Sequence, residues 1–264
     1  MSVNKKMKKY LMVIASYPDW RQEFFKTHMS SRNKEYCQIH GFEYVEITEK
    51  LEPVRGKIGW IKPFKVQQLL KTTLQDGDIL TCLDADMAIV KKDIQYIPSS
   101  AKSFAYSIDS GNTHCMGSYS IRVNDWSRKL FDLIVDEDRY KNLHNQLTIH
   151  ERFGTYSSFW EGFYDQASWY SLAGIKRHSD KPFWEYSDYG WHSDKTLTGE
   201  VNEWCKYSLE ELYEHVEILP TAWNVTELEG ESSCEFLINK TPKEDVFIRH
   251  FAGGQQWRKE WFEK

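Results

Sequence analysis

Short apolar runs alternate with amphipathic helical stretches through the first half of the chain. That order implies an α/β fold with a mostly parallel central sheet flanked by helices. Residues 10–15 (YLMVIA) and 79–83 (ILTCL) are nearly unbroken apolar runs, as strands buried on both faces are. A stretch of helical spacing, residues 21–40, follows the first run and stops at Gly41, a residue suited to the position just past a helix end.

The remaining elements follow in order. Residues 42–47 alternate polar and apolar, as a half-buried second strand does. Pro63 suits the first position of a helix whose apolar side carries Phe64, Val66, Leu69, Leu70 and Leu74. Asp76-Gly77-Asp78 then turns the chain into the third strand. Beyond Val90 the pattern is mixed: strands are expected at 103–108, 118–123 and 246–251, and helices at 126–135 and 163–173. Residues 179–204 are polar and aromatic with no clean period, a composition found in substrate loops and in plain surface alike. No repeat or Pro/Gly linker divides the 264 residues, so a single domain is expected.

Composition excludes several classes. Hydrophobic residues make up 41% of the chain, enough for a full core. The net charge of −5 and the absence of a long Lys/Arg block argue against a nucleic-acid partner; residues 4–9 are the one basic cluster. The apolar run Leu11 to Ala15 is too short for a transmembrane segment, and Tyr17-Pro18-Asp19-Trp20 is a poor cleavage region. A cytoplasmic protein is expected. Cys37, Cys82, Cys115, Cys205 and Cys234 are odd in number and widely spaced, which fits small buried hydrophobes in a reducing compartment better than disulfides or a zinc-thiolate site. Asn224-Val-Thr226 and Asn239-Lys-Thr241 match the glycosylation sequon, which carries little weight without an export signal.

The chemistry is sought beyond the carboxyl ends of parallel strands, where ligands bind in such sheets. Leu83-Asp84-Ala85-Asp86 occupies one of these ends and runs directly into apolar Met87 to Val90. Two carboxylates held that close repel each other and lose hydration, at an effective cost of several kcal/mol per buried ion. On extended chain, residues two apart point the same way, so one divalent cation can meet both. Oxygen ligation favours Mn²⁺ or Mg²⁺ over Zn²⁺. A solvated turn is the bland alternative for the pair.

His250 falls on the face of the last strand shared with Val246 and Ile248. It is either a satisfied core histidine or a third metal ligand. Gly253 and Gly254 follow it, and paired glycines serve either an ordinary turn or close approach of backbone N–H groups to a phosphate.

Together these pieces resemble the GT-A family of glycosyltransferases, with its Rossmann-like sheet. In particular they resemble the enzymes related to galactomannan galactosyltransferase, xyloglucan xylosyltransferase and α-1,6-mannosyltransferase. The matching stretches are Trp60-Ile-Lys62, Leu83-Asp-Ala-Asp86, Ile121-Arg-Val-Asn-Asp-Trp-Ser127, Tyr164-Asp-Gln-Ala-Ser168 and Phe247-Ile-Arg-His-Phe-Ala-Gly253, in the family's order. The resemblance implies a nucleotide-binding half over residues 10–100 and a mixed acceptor and catalytic half over 101–258. It implies a nucleotide-sugar donor, most often a UDP-sugar, and a glycan acceptor, with retention of configuration. Asp84, Asp86 and His250 would lie at the metal, with Ala85 beside the donor. Ala15, Ser16 and Tyr17 would hold the nucleoside, and Lys62 and Lys65 would face the diphosphate, the alternative for both lysines being a solvated helix start. Asp165 and Gln166 would form the catalytic pair, with Glu161 close enough in sequence to share the role. Transfer needs a carboxylate near the anomeric carbon to orient the acceptor, take its proton or stabilise developing charge; an exposed helix residue is the alternative for Asp165. Where relatives carry Asn and a small residue before a glycine, this chain has Cys115-Met116-Gly117.

Among 11 Trp and many other aromatics, Trp160, Trp184, Tyr186, Tyr189 and Trp191 could stack on acceptor rings or pack their own loop. Two other functions compete. A nucleotidyltransferase of sugar phosphates needs a glycine-rich loop after the first strand, and Ser16-Tyr17-Pro18-Asp19 is not one. A carbohydrate-binding module would use the aromatics, but the Asp pair at a parallel-strand end and the Asp165-Gln166 helix fit it less well.

Overall fold

The computed structural model describes residues 7–15, 23, 25–55, 58–110, 114–139, 164–173, 206–226 and 241–251. The elements are β1 (Lys9–Ile14), a π-helical turn (Phe25–Ser30) leading into α1 (Ser31–His40), β2 (Glu43–Ile47), α2 (Ile61–Thr72), β3 (Ile79–Asp84) and β4 (Met87–Ile89). They continue as β5 (Phe104–Ile108), β6 (His114–Arg122), α3 (Asp125–Ile134), α4 (Tyr164–Ala173), α5 (Leu209–His215), β7 (Val216–Leu219) and β8 (Ile248–His250).

Six strands form one sheet in the order β2-β1-β3-β6-β5-β7, and β4 pairs with β8 in a separate two-stranded ladder. The β1–β2, β1–β3 and β5–β7 pairs are parallel. Strand β6 runs antiparallel to both β3 and β5, so the sheet is mostly parallel with one reversed strand. The expected α/β architecture is therefore present.

The apolar runs are explained by cores on both faces of this sheet. Alternate residues of a strand face opposite ways. Tyr10 and Met12 of β1 pack with Val66, Leu70, Phe131 and Trp169 on one side. Leu11 and Val13 pack with Phe25, Met29, Tyr36 and Ile248 on the other. Each fully buried side chain of this kind contributes about 1.5–3 kcal/mol.

Several boundaries differ from the sequence expectation. The helix expected over 21–40 is, within the described residues, a π-helical turn followed by α1. Its Gly41 adopts the left-handed conformation and sends its N–H to the Cys37 carbonyl. Helix α2 starts at Ile61 rather than Pro63, and the proline is tolerated because the first turn holds its orphan N–H groups anyway. Helix α3 begins at Asp125 because Asn124 closes a reciprocal capping box with Ser127. Strand β8 is shorter than the expected 246–251.

Helix α5 and strand β7 were not anticipated, although Ser208 and Glu211 stand in capping-box spacing, and Ser208 Oγ accepts the Glu211 N–H at 3.1 Å. The loop 179–204, with its aromatics Trp184, Tyr186, Tyr189 and Trp191, lies outside the described residues, as do Trp160, Cys205 and Cys234. Cys37, Cys82 and Cys115 are free and buried, and burial pushes each thiol up to about 12. No described helix is long and apolar enough to cross a membrane.

Strand β6 begins at His114, four residues before the expected 118, and the extra length contains a bulge. The register of β5 on β6 jumps from Tyr106↔Tyr119 to Ser107↔Cys115, leaving Met116, Gly117 and Ser118 looped out of the pairing. Bulges of this sort re-aim the chain beside functional sites. Here the bulge turns Cys115-Met116-Gly117 toward the end of β3, since Leu83 pairs with Ser118.

Candidate metal and donor site

Asp84 ends β3, opposite Ile14 at the end of β1, so it sits at the carboxyl edge of the parallel strands. Ala85 and Asp86 form a turn into β4. This corrects the extended-chain expectation: the two carboxylates converge because the chain turns between them. Strand β4 pairs with β8 and places Met87 opposite His250. The Phe251 N–H donates to the Asp86 carbonyl at 2.8 Å and ties the two segments together.

The result is a cluster of Asp84, Asp86 and His250 with ligand-capable atoms all within 4.8 Å of one another. His250 Nε2 lies 3.6 Å from Asp86 Oδ1. The His250 side chain is 11% exposed and that of Asp86 is 31%, so Asp86 keeps contact with solvent while His250 is nearly enclosed. Two carboxylates and an imidazole form a hard-to-borderline donor set that fits Mn²⁺ or Mg²⁺.

Lys62, in the first turn of α2, supplies the local cation. Its Nζ lies 2.8 Å from Asp84 Oδ1 and 3.4 Å from Asp165 Oδ2, and it donates to the Met116 carbonyl at 2.6 Å. Burial works against the Lys62 ammonium, but the Asp165 and Asp84 carboxylates outweigh it and hold its pKa above the usual lysine range. Burial raises the Asp84 carboxyl against the opposing pull of Lys62, and neighbouring Asp86 raises it further. Asp165 is buried rather than on an exposed helix face, and burial pushes its carboxyl up to about 6 despite Lys62. Gln166 accepts the Met116 N–H at 3.1 Å through Oε1, so the bulge is gripped by α2 and α4 together.

The remaining candidates divide. Ala15 is fully buried at the end of β1, and its N–H donates to the Ile47 carbonyl at 2.8 Å. Lys65 lines a separate groove of about 320 Å³ with Leu51, Val54 and Phe64, and its Nζ donates to Gln68 Oε1 at 3.4 Å. The structure thus places Lys62 at the carboxylate cluster and Lys65 along that groove. Ser16, Tyr17, Glu161, Gly253 and Gly254 lie outside the described residues.

Sequence reasoning missed two contributors. Asn224, read only as a sequon, is fully buried and bonds to His250 Nδ1 at 2.9 Å through Oδ1. Gly117 leaves room for the Asp84 carboxylate: a β-carbon there would lie 3.1 Å from Asp84 Oδ2, 2.9 Å from Met87 Cε and 3.3 Å from Cys115 Sγ. Gly117→Ala is expected to cost about 1–3 kcal/mol by overpacking. Urea unfolding reads the loss, and unchanged stability would mean that Met87 and Asp84 move aside freely. The glycine itself was visible in the sequence, whereas its neighbours come from distant segments.

No protein-family model matches the chain, and no curated protein matches it. Solved structures do. A glycosyltransferase involved in glycosylation of the major capsid of PBCV-1 is similar over 97% of this chain and 98% of its own, at 15% identity and a TM-score of 0.54. At this identity the likeness shows the fold. Lower similarity is found to the glycosyltransferase GlyE of Streptococcus pneumoniae TIGR4, with 12% identity over 97% of this chain and 60% of its own and a TM-score of 0.46. The galactosyltransferase LgtC, in complex with donor and acceptor sugar analogues, aligns at 10% identity over 96% of this chain and 94% of its own, with a TM-score of 0.37.

Proposed function

We propose that the chain is a metal-dependent glycosyltransferase that moves a hexose or pentose from a nucleotide-sugar to a glycan hydroxyl. The observation that carries this reading is the convergence of Asp84, Asp86 and His250 within 4.8 Å at the carboxyl edge of the sheet. The fold, shared with a solved glycosyltransferase, supports it. The donor is a UDP-sugar and transfer proceeds with retention, as in the galactomannan galactosyltransferase group that the motifs resemble. The enzyme is a single catalytic domain acting in carbohydrate biosynthesis in the cytoplasm.

In this reading Asp84, Asp86 and His250 hold Mn²⁺ or Mg²⁺. A cation bound there supplies positive charge to the diphosphate leaving group. Ser16 and Tyr17 contact the nucleoside, with Ala15 buried behind them at the end of β1, and Ala85 packs beside the donor. Lys62 turns its ammonium toward the diphosphate. Gly253 and Gly254 let backbone N–H groups approach the same phosphates. Asp165 and Gln166 face the transferred sugar, with Glu161 near them in sequence. Lys62 holds Asp165 through their 3.4 Å ion pair, which orients the carboxylate for charge that develops on the sugar.

The test is a panel of nucleotide-sugars assayed for UDP or GDP release with Mn²⁺, run beside Asp86→Ala. Metal-dependent release from one donor, lost in Asp86→Ala, is the expected result. A panel with no release, together with UDP and Mn²⁺ that do not reinforce each other's binding, would leave a non-catalytic carbohydrate binder as the better description.

A further inference from the structure

We infer that Asn224 is a positioning residue that sets the tautomer of His250, so that the Nε2 lone pair faces the carboxylate pair. This deepens the proposed function and rests on its reading of Asp84, Asp86 and His250 as a cation site.

The geometry is specific. Asn224 is fully buried, and its Oδ1 lies 2.9 Å from His250 Nδ1. With the amide oxygen turned to the ring, as it stands here, Nδ1 must carry the proton, because a carboxamide oxygen only accepts. In the neutral ring Nε2 is then an acceptor. That nitrogen stands 3.6 Å from Asp86 Oδ1, another acceptor. Two acceptors turned on each other are unfavourable unless a cation or an extra proton lies between them. A shared divalent cation resolves the conflict without protonating the ring. Outer partners of this kind orient ligating histidines and typically change metal affinity about 10–100-fold when removed.

The frame around the pair is stiff. Asn224 follows a 3₁₀ turn, Thr221–Trp223, and its N–H donates to the Thr221 carbonyl at 2.7 Å. Val225 bridges to the last strand in both directions: its N–H donates to the Ile248 carbonyl, and its carbonyl accepts the His250 N–H, each at 2.9 Å. Trp223 stacks on Phe247 with ring centroids 4.7 Å apart. Asn224 and His250 are therefore held face to face by backbone, and only the amide and ring orientations remain to be chosen. The inverted amide would donate Nδ2–H to Nδ1 and leave an Nε2–H pointing at Asp86, which closes the site to a cation.

Two measurements test this. Long-range ¹H–¹⁵N correlation of the metal-free wild-type protein, with His250 assigned by its absence in His250→Gln, reads the tautomer directly. A ring with Nδ1 protonated, either alone or together with Nε2, is expected, and a ring with only Nε2 protonated would overturn the inference. Mn²⁺ titration followed by electron paramagnetic resonance in the presence of UDP then compares variants of equal melting temperature. Asn224→Leu is expected to bind Mn²⁺ about 10–100-fold more weakly. Asn224→Asp, which keeps the acceptor and the shape, should stay within a few-fold of wild type. If Asp86→Ala loses Mn²⁺ while Asn224→Leu retains it, the role of Asn224 fails alone. Should Asp86→Ala and the wild type bind Mn²⁺ equally, the cation site itself is wrong.

Discussion

Lys62→Met is expected to lower the unfolding free energy by about 3–5 kcal/mol, the range for removing one partner of a buried ion pair. Methionine keeps the length and packing of the stem but leaves two carboxylates without their cation. Asp165 dominates that loss, because its side chain is 9% exposed and that of Lys62 is 13%. Asp84 contributes less, since a third of its side chain meets solvent and is screened. The Met116 carbonyl also loses its 2.6 Å donor, which loosens the bulge. Urea unfolding followed by circular dichroism reads the change. Mn²⁺ should restore part of it, raising the melting temperature of Lys62→Met more than that of the wild type, because the ion supplies charge that the variant lacks. A loss below about 1 kcal/mol would place Lys62 among ordinary surface ion pairs.

Asp165→Asn is expected to reduce turnover by about 10²–10⁴-fold, the usual contribution of a positioned acid–base or charge-stabilising group. Donor binding should survive, since asparagine has the same shape and the proposed nucleoside and diphosphate contacts lie on other elements. The carboxylate is held in one orientation by its neighbours. Its Oδ1 accepts the Gln166 N–H at 3.0 Å, while Oδ2 is buried and has the Lys62 ion pair at 3.4 Å. Steady-state kinetics beside a UDP-sugar dissociation constant separates the two effects, and a drop in kcat with an unchanged constant is the predicted signature. Retained turnover would remove Asp165 from the chemistry and leave it as a structural partner of Lys62.

Much of the architecture was legible along the chain. The unbroken apolar runs in β1 and β3 and the glycine after α1 depend on rules that act within a few residues. A strand covered on both faces must be apolar throughout, and a left-handed helix end selects glycine. The Asp84–Asp86 pair was visible for the same reason, because its two members are close in sequence and sit at a strand end. The capping box at Ser208 shows that local signals can also be present and overlooked, as α5 was.

Asn224 and Gly117 were beyond such rules. Nothing near Asn224 in sequence separates a buried partner of histidine from a glycosylation site; only the bridge to β8 brings it to His250, 26 residues away. Gly117 is an ordinary strand glycine until the bulge in β6 lays it against Asp84 from another strand. Lys62 and Lys65 share a helix start and look alike in sequence, yet the turn of α2 sends one to the carboxylates and the other to a groove. The sequence by itself determined which segments become strands and where acidic side chains gather, because hydrophobic period and turn chemistry are local. Tertiary structure alone decided which cation meets those acids and which amide steers the histidine, because those contacts are set by how distant segments pack.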